Sequence, residues 1–216
     1  MQELERLNEA LRLVEKYEQY LGRRIWGIIL IVWGVLLPLM YFLTSNAQSL
    51  ALLLDMSVEV FIVFVVGLIF LIGFGINFYV SASATVYIAK RRKLSLGEMS
   101  HVILIFMVFF ISFFLAGYAE TMLPQPFSTV SLLLAAGFSA LASYVILRIT
   151  PIHETYSELI IIGAILLVVS IPIMLLSSNL GETLAQTASV LTVGAGFAIG
   201  GVYSIIAALK TLGESD

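Results

Sequence analysis

Six long apolar stretches carry most of the chain, and the charged residues gather before and between them. The stretches are Ile25–Leu43, Val60–Val86, Met99–Ala119, Phe127–Leu147, Leu159–Ser178 and Thr183–Leu209, and none contains Asp, Glu, Lys or Arg. A bilayer core about 30 Å thick needs roughly 20 apolar residues per helix, and each stretch has that length. They lack the apolar-polar alternation of barrel strands. Continuous apolar runs satisfy their backbone groups in lipid only as helices. The pattern predicts an all-α, polytopic membrane protein with six transmembrane helices. The second run exceeds one crossing, so it predicts a tilted helix or one that continues beyond the bilayer.

A different pattern precedes the first span. Leu4, Leu7, Leu11 and Val14 recur at three- and four-residue spacing, and Leu21 continues the same face, with Glu and Arg between them. This predicts an amphipathic helix over residues 1–22. Helices that lie on membranes are usually rich in Lys and Arg. Up to Leu21 this segment instead sets five Glu against Arg6, Arg12 and Lys16. Its acidity favours a partner subunit or a second copy over anionic lipid, with packing on the chain's own cytoplasmic loops as the blander alternative. Glu18 interrupts the heptad and argues against a long coiled coil. The expected organisation is a cytoplasmic helix over 1–22, a six-helix domain over 23–210 and a short tail over 211–216.

Charge sets the orientation. With six spans and an inside N-terminus, all eleven Lys and Arg, including Lys90–Lys93, Arg148 and Lys210, fall on the cytoplasmic side. That distribution follows the positive-inside rule and predicts a multi-pass protein of the cell membrane with both termini cytoplasmic. Hydrophobic residues make up 60% and charged residues 12% of the 216, against roughly 25% charged in soluble domains. The bilayer is therefore the expected principal partner. Four basic residues at a helix end are too small a footprint for nucleic acid. The chain has no cysteine, which excludes disulfides, thiolate metal sites and cysteine nucleophiles. Its opening does not read as a cleavable signal, so the first span is expected to be retained.

Stepping by four along the even-numbered spans gives stripes of small and polar residues. Span two gives Gly73, Asn77, Ser81 and Thr85; span four gives Ser131, Ala135, Ser139 and Ser143; span six gives Ala188, Thr192, Gly196, Gly200, Ser204 and Ala208. Residues four apart share a helical face, and small side chains let backbones approach. The stripes predict that the even spans lie inside the bundle, with Gly73, Gly196, Gly200 and Ser204 as packing positions. The functional alternative is a hydrated path lined by Asn77, Ser81, Thr85 and Thr192. Asp55 and Glu59, read as one turn apart at the outer end of span two, would then form a cation-attracting mouth with Glu120 and Glu182. Pro38 and Pro172 each remove a helical hydrogen bond and predict bends in spans one and five.

Candidate chemistry is sparse. Glu98 and His101 stand at i and i+3, and His153, Glu154 and Glu158 occupy the next inner loop. Di-iron bundles use Glu-x-x-His twice, with two further Glu. Here it occurs once, so these residues read as solvated loop and helix-end groups, and no metal or cofactor is expected. Gly137-Phe138-Ser139 is similar to part of the rhomboid protease motif, but no His lies within a membrane core to serve as base. Gly73-Phe74-Gly75 resembles the presenilin-type Gly-x-Gly-Asp, with Ile76 where Asp is required. The expectation is a non-enzymatic membrane subunit or scaffold that associates through Leu4, Leu7, Leu11 and Val14. The alternative is a channel or secondary transporter for a cation or small solute.

Overall fold

A computed structural model describes residues 2–89, 96–124, 127–149 and 157–213. Among these residues there are seven helices and no strand: α1 (Gln2–Ser45), α2 (Ala47–Leu53), α3 (Val58–Ala89), α4 (Leu96–Met122), α5 (Phe127–Ile149), α6 (Ser157–Leu180) and α7 (Glu182–Gly213). Five segments are long and apolar enough to cross a membrane: Leu4–Ser45, Val58–Val80, Phe127–Ile149, Ser157–Ser177 and Glu182–Thr211. The third expected span falls on α4, whose described apolar stretch is Met107–Ala116. The protein is thus a helical bundle built for a membrane.

The boundary expected near residue 22 does not interrupt the backbone, because α1 is one helix of 44 residues. At 1.5 Å per residue it is about 66 Å long, roughly twice a bilayer core. No proline lies between the amphipathic segment and the first span, and the single Gly22 at the boundary does not break the helix. Pro38 lies inside α1 and Pro172 inside α6.

The closest helix pair is α1 with α7. A Cβ on Gly201 would lie 2.5 Å from the Gly27 carbonyl oxygen, and one on Gly27 would lie 2.7 Å from that of Gly201. Gly34 and Gly194 repeat the arrangement, each placing a Cβ 2.7 Å from the other's carbonyl oxygen. Rising numbers on α1 meet falling numbers on α7, so the two run antiparallel. Both helices space their glycines seven apart, the recurrence that a left-handed pairing sustains. In lipid no hydrophobic force drives helices together, so backbone approach and packing must hold them.

The same logic assembles the rest. On α5 and α6, a Cβ at Gly163 would lie 2.9 Å from the Gly137 carbonyl oxygen. On α7, Gly196 receives Leu166 of α6, and Gly200 receives Ile162. Ser189 Oγ of α7 donates to the Thr129 carbonyl oxygen of α5 at 2.7 Å. Helix α7 therefore touches α1, α5 and α6, and α4 packs on α5. Leu30, Leu37, Ile105, Leu133, Leu166 and Phe197 meet in the principal core. Helix α3 stands at the edge and touches only α1 and α2 among the described residues. The expectation that all even spans lie inside holds for α5 and α7 but not for α3. The face of α7 that carries Gly194 and Gly201 is occupied by α1.

Helix α2 lies where a loop was expected. Its Ala47 and Ala51 pack against Phe61, Val65 and Ile69 of α3, while Leu52, Leu53 and Leu54 are exposed. Asp55 ends it in the left-handed region at φ 54. The Met56 N–H donates to the Ala51 carbonyl and the Asp55 N–H to that of Leu52, the paired bonds of a Schellman cap. Asp55 thus precedes α3, and it does not share a helical face with Glu59. Antiparallel pairing collects Arg23, Arg24, Arg148 and Lys210 at one end of the bundle and Asp55, Glu59 and Glu182 at the other.

Candidate functional site

The start of α1 presents apolar side chains among charged ones. Ser204 Oγ donates to the Arg23 carbonyl oxygen at 3.0 Å and fixes the register of α1 on α7. Carried along, that register sets Gly213, the last residue of α7, level with about Val14. Among the described residues, those before that point project beyond the end of α7. Leu4, Leu7 and Leu11 are 67%, 60% and 55% exposed, whereas Val14 is half-buried. At the base, Arg24 Nη1 donates to the Tyr20 hydroxyl at 3.2 Å, and the Tyr17 and Tyr20 rings lie 5.9 Å apart. These tyrosines suit the membrane boundary, where an aromatic ring with a polar tip sits well.

The second set of candidates consists of buried polar groups without partners. Asn77 is 2% exposed, and neither its Oδ1 nor its Nδ2 has a hydrogen-bond partner among the described residues. It follows Gly73 on the face of α3 turned to α1, where a Cβ at Gly73 would lie 3.0 Å from the Trp33 ring. Ser81 and Thr85 lie on the helical backbone of α3, but their side chains fall outside the described residues. Thr192 Oγ1 donates to the Ala188 carbonyl oxygen at 2.7 Å, so its hydroxyl is satisfied within its own helix. Because α3 does not reach α5 or α7, the structure does not bring Asn77 and Thr192 together. Asp55 and Glu59 are both exposed. Glu59 and Glu182 occupy the first turns of α3 and α7, where the positive end of the helix dipole favours a carboxylate. The Glu120 side chain is outside the described residues.

The candidate metal ligands divide in the same way. The side chains of Glu98 and His101, and the residues His153 and Glu154, lie outside the described residues. Glu158 corrects its expectation: it is 2% exposed rather than solvated, and neither carboxylate oxygen has a hydrogen-bond partner among the described residues. It stands in the first turn of α6, a helix that packs on α5 and α7. Among the described residues no three His, Cys, Asp or Glu gather as metal ligands. Ser143 is also buried with a free hydroxyl, whereas Ser131, Ser139, Ser170 and Ser177 each donate to a carbonyl of their own helix.

Gly73, Gly196, Gly200 and Ser204 all lie at helix contacts. Reading at a step of four missed the closest approaches to a neighbouring backbone, those of Gly27, Gly34, Gly194 and Gly201. Their signal was a step of seven on the first and last spans.

The chain matches no protein-family model, and neither a curated protein nor a solved structure is detectably similar to it.

Proposed function

We propose that the chain is a non-enzymatic, six-span subunit of the cell membrane that binds a partner subunit or a second copy through residues 1–22. The observation that carries this reading is the projecting start of α1, with Leu4, Leu7 and Leu11 exposed on a helix rigidly continuous with the first span. A helix of this length rarely keeps an apolar stripe in water without a use for it. The antiparallel pairing of α1 and α7 supports six crossings, since an even number returns the chain to its starting side, and α4 supplies the crossing between α3 and α5. The basic end of the bundle supports cytoplasmic termini. His101, at the inner end of the third span, is the only His or Lys inside a span, and the lack of a base or carbonyl-binding amine deeper in the membrane supports a role without catalysis.

The test is native mass spectrometry after mild-detergent purification from the original host. Full-length protein is compared with a version lacking residues 1–21. An assembly or co-purifying partner that disappears on truncation supports the proposal, and the same lone species from both versions overturns it. A channel or carrier for a cation or small solute is the second reading, and it draws on the buried amide of Asn77. It predicts a flux in liposomes that Asn77→Leu changes, and no flux for any tested ion opposes it.

A further inference from the structure

Helix α3 is held along one line only. Phe61, Val65, Ile69, Gly73 and Asn77, spaced every fourth residue, are its buried positions among the described side chains. The faces around that line are open, with Phe64, Leu68, Leu71, Phe74 and Phe78 exposed. The two ends of the line differ. At the outer end, Phe61, Val65 and Ile69 are clamped between α1 and the Ala47–Ala51 face of α2. At the inner end α1 is the sole neighbouring helix among the described residues. Trp33 lies across Gly73 there and packs on Phe70 and Phe74, with ring centroids 5.8 and 5.7 Å away.

Asn77 closes the line at this weaker end. Its amide has two donor hydrogens and a carbonyl oxygen, and all are enclosed without a partner among the described residues. An apolar residue would suit a permanently closed seam better, because a polar group shut away unpaired is costly. Nineteen residues separate Asn77 from Val58, about 28 Å along the helix. In a bilayer core about 30 Å thick that places the amide beside the inner water boundary.

We propose that the α1–α3 seam is a gate: the inner half of α3 swings off α1 about its α2-clamped outer end, and water reaches the Asn77 amide. The closed seam is the arrangement described above. The open one hydrates Asn77 and separates Gly73 from Trp33. The gate does not depend on association through α1, and it operates in a single copy.

The absence of cysteine gives a direct test. Asn77→Cys and Ile69→Cys each introduce one thiol on the same buried line, at positions 2% and 3% exposed. In proteoliposomes treated with a water-soluble maleimide, the gate predicts modification of Asn77→Cys at least tenfold faster than of Ile69→Cys. Equal inertness of the two thiols overturns the proposal. Hydroxyl-radical footprinting needs no cysteine and decides the matter if Asn77→Cys does not fold. Oxidation of Trp33 in the unmodified protein should fall several-fold in Asn77→Leu, and an unchanged yield overturns the gate.

Discussion

Replacing Gly201 by Ala tests how α1 and α7 are held. The added Cβ would lie 2.5 Å from the Gly27 carbonyl oxygen, 2.7 Å from Ile31 Cγ1 and 3.0 Å from the Ile31 nitrogen. Two of these atoms belong to a helix backbone and cannot turn aside as a side-chain tip would. Ordinary contact begins near 3.5 Å, so the helices must part by about 1 Å. Forcing an extra methyl group into a packed contact costs about 1–3 kcal/mol, and Ala regains up to about 1 kcal/mol through helix propensity. Gly75→Ala cancels the second effect, because nothing lies within 4 Å of a Cβ at Gly75. The difference between the two variants isolates the steric cost, about 1–3 kcal/mol against Gly201→Ala. Gly27→Ala should behave like Gly201→Ala. The double variant should lose less than the sum, since one parting of the helices relieves both clashes. Denaturation in mixed detergent micelles reads these differences. Equal stability of Gly201→Ala and Gly75→Ala would refute close glycine contact as the basis of the α1–α7 pair.

Thermal unfolding checks the cap of α2: Asp55→Gly should fall within about 0.5 kcal/mol of the parent, whereas Asp55→Ile should lose about 1–2 kcal/mol in the left-handed region. Ser189→Ala removes an interhelical hydrogen bond and should cost about 0.6 kcal/mol, up to about 1.7. Thr192→Ala breaks only a bond within α7 and should change stability by a few tenths at most. Glu158→Leu should raise the melting temperature by a few degrees, since a buried carboxyl without a partner gives way to an apolar group of similar size; a clear fall would show that Glu158 has a partner.

The helical character of the bundle was legible because uncharged runs of membrane length admit no other regular structure in lipid. The amphipathic start was legible from Leu4, Leu7 and Leu11, since a surface stripe is written in one helix alone. Neighbour relations were not. Asn77 and Thr192 carry similar polarity at similar spacing, yet one faces α1 and the other bonds within α7. The difference arises from Gly27 and Gly34 on α1, which let that helix take the place beside α7. Local periodicity also hid α2, because Ala47–Leu53 is too short to cross a membrane and too short to show a helical period. Glu158 looked solvated for a related reason: its place in the first turn of α6 is written locally, whereas its burial depends on tertiary packing that local periodicity does not encode.

The most direct test of the account is a face exchange on the projecting part of α1. Leu4→Glu, Leu7→Glu and Leu11→Glu are combined in one variant, and Glu5→Gln, Glu9→Gln and Arg12→Gln in a control altered on the opposite face. Native mass spectrometry of each, purified from the original host, should show the assembly lost in the first and kept in the second. An assembly that survives the leucine exchange, or that is lost equally from both variants, would contradict association through that stripe.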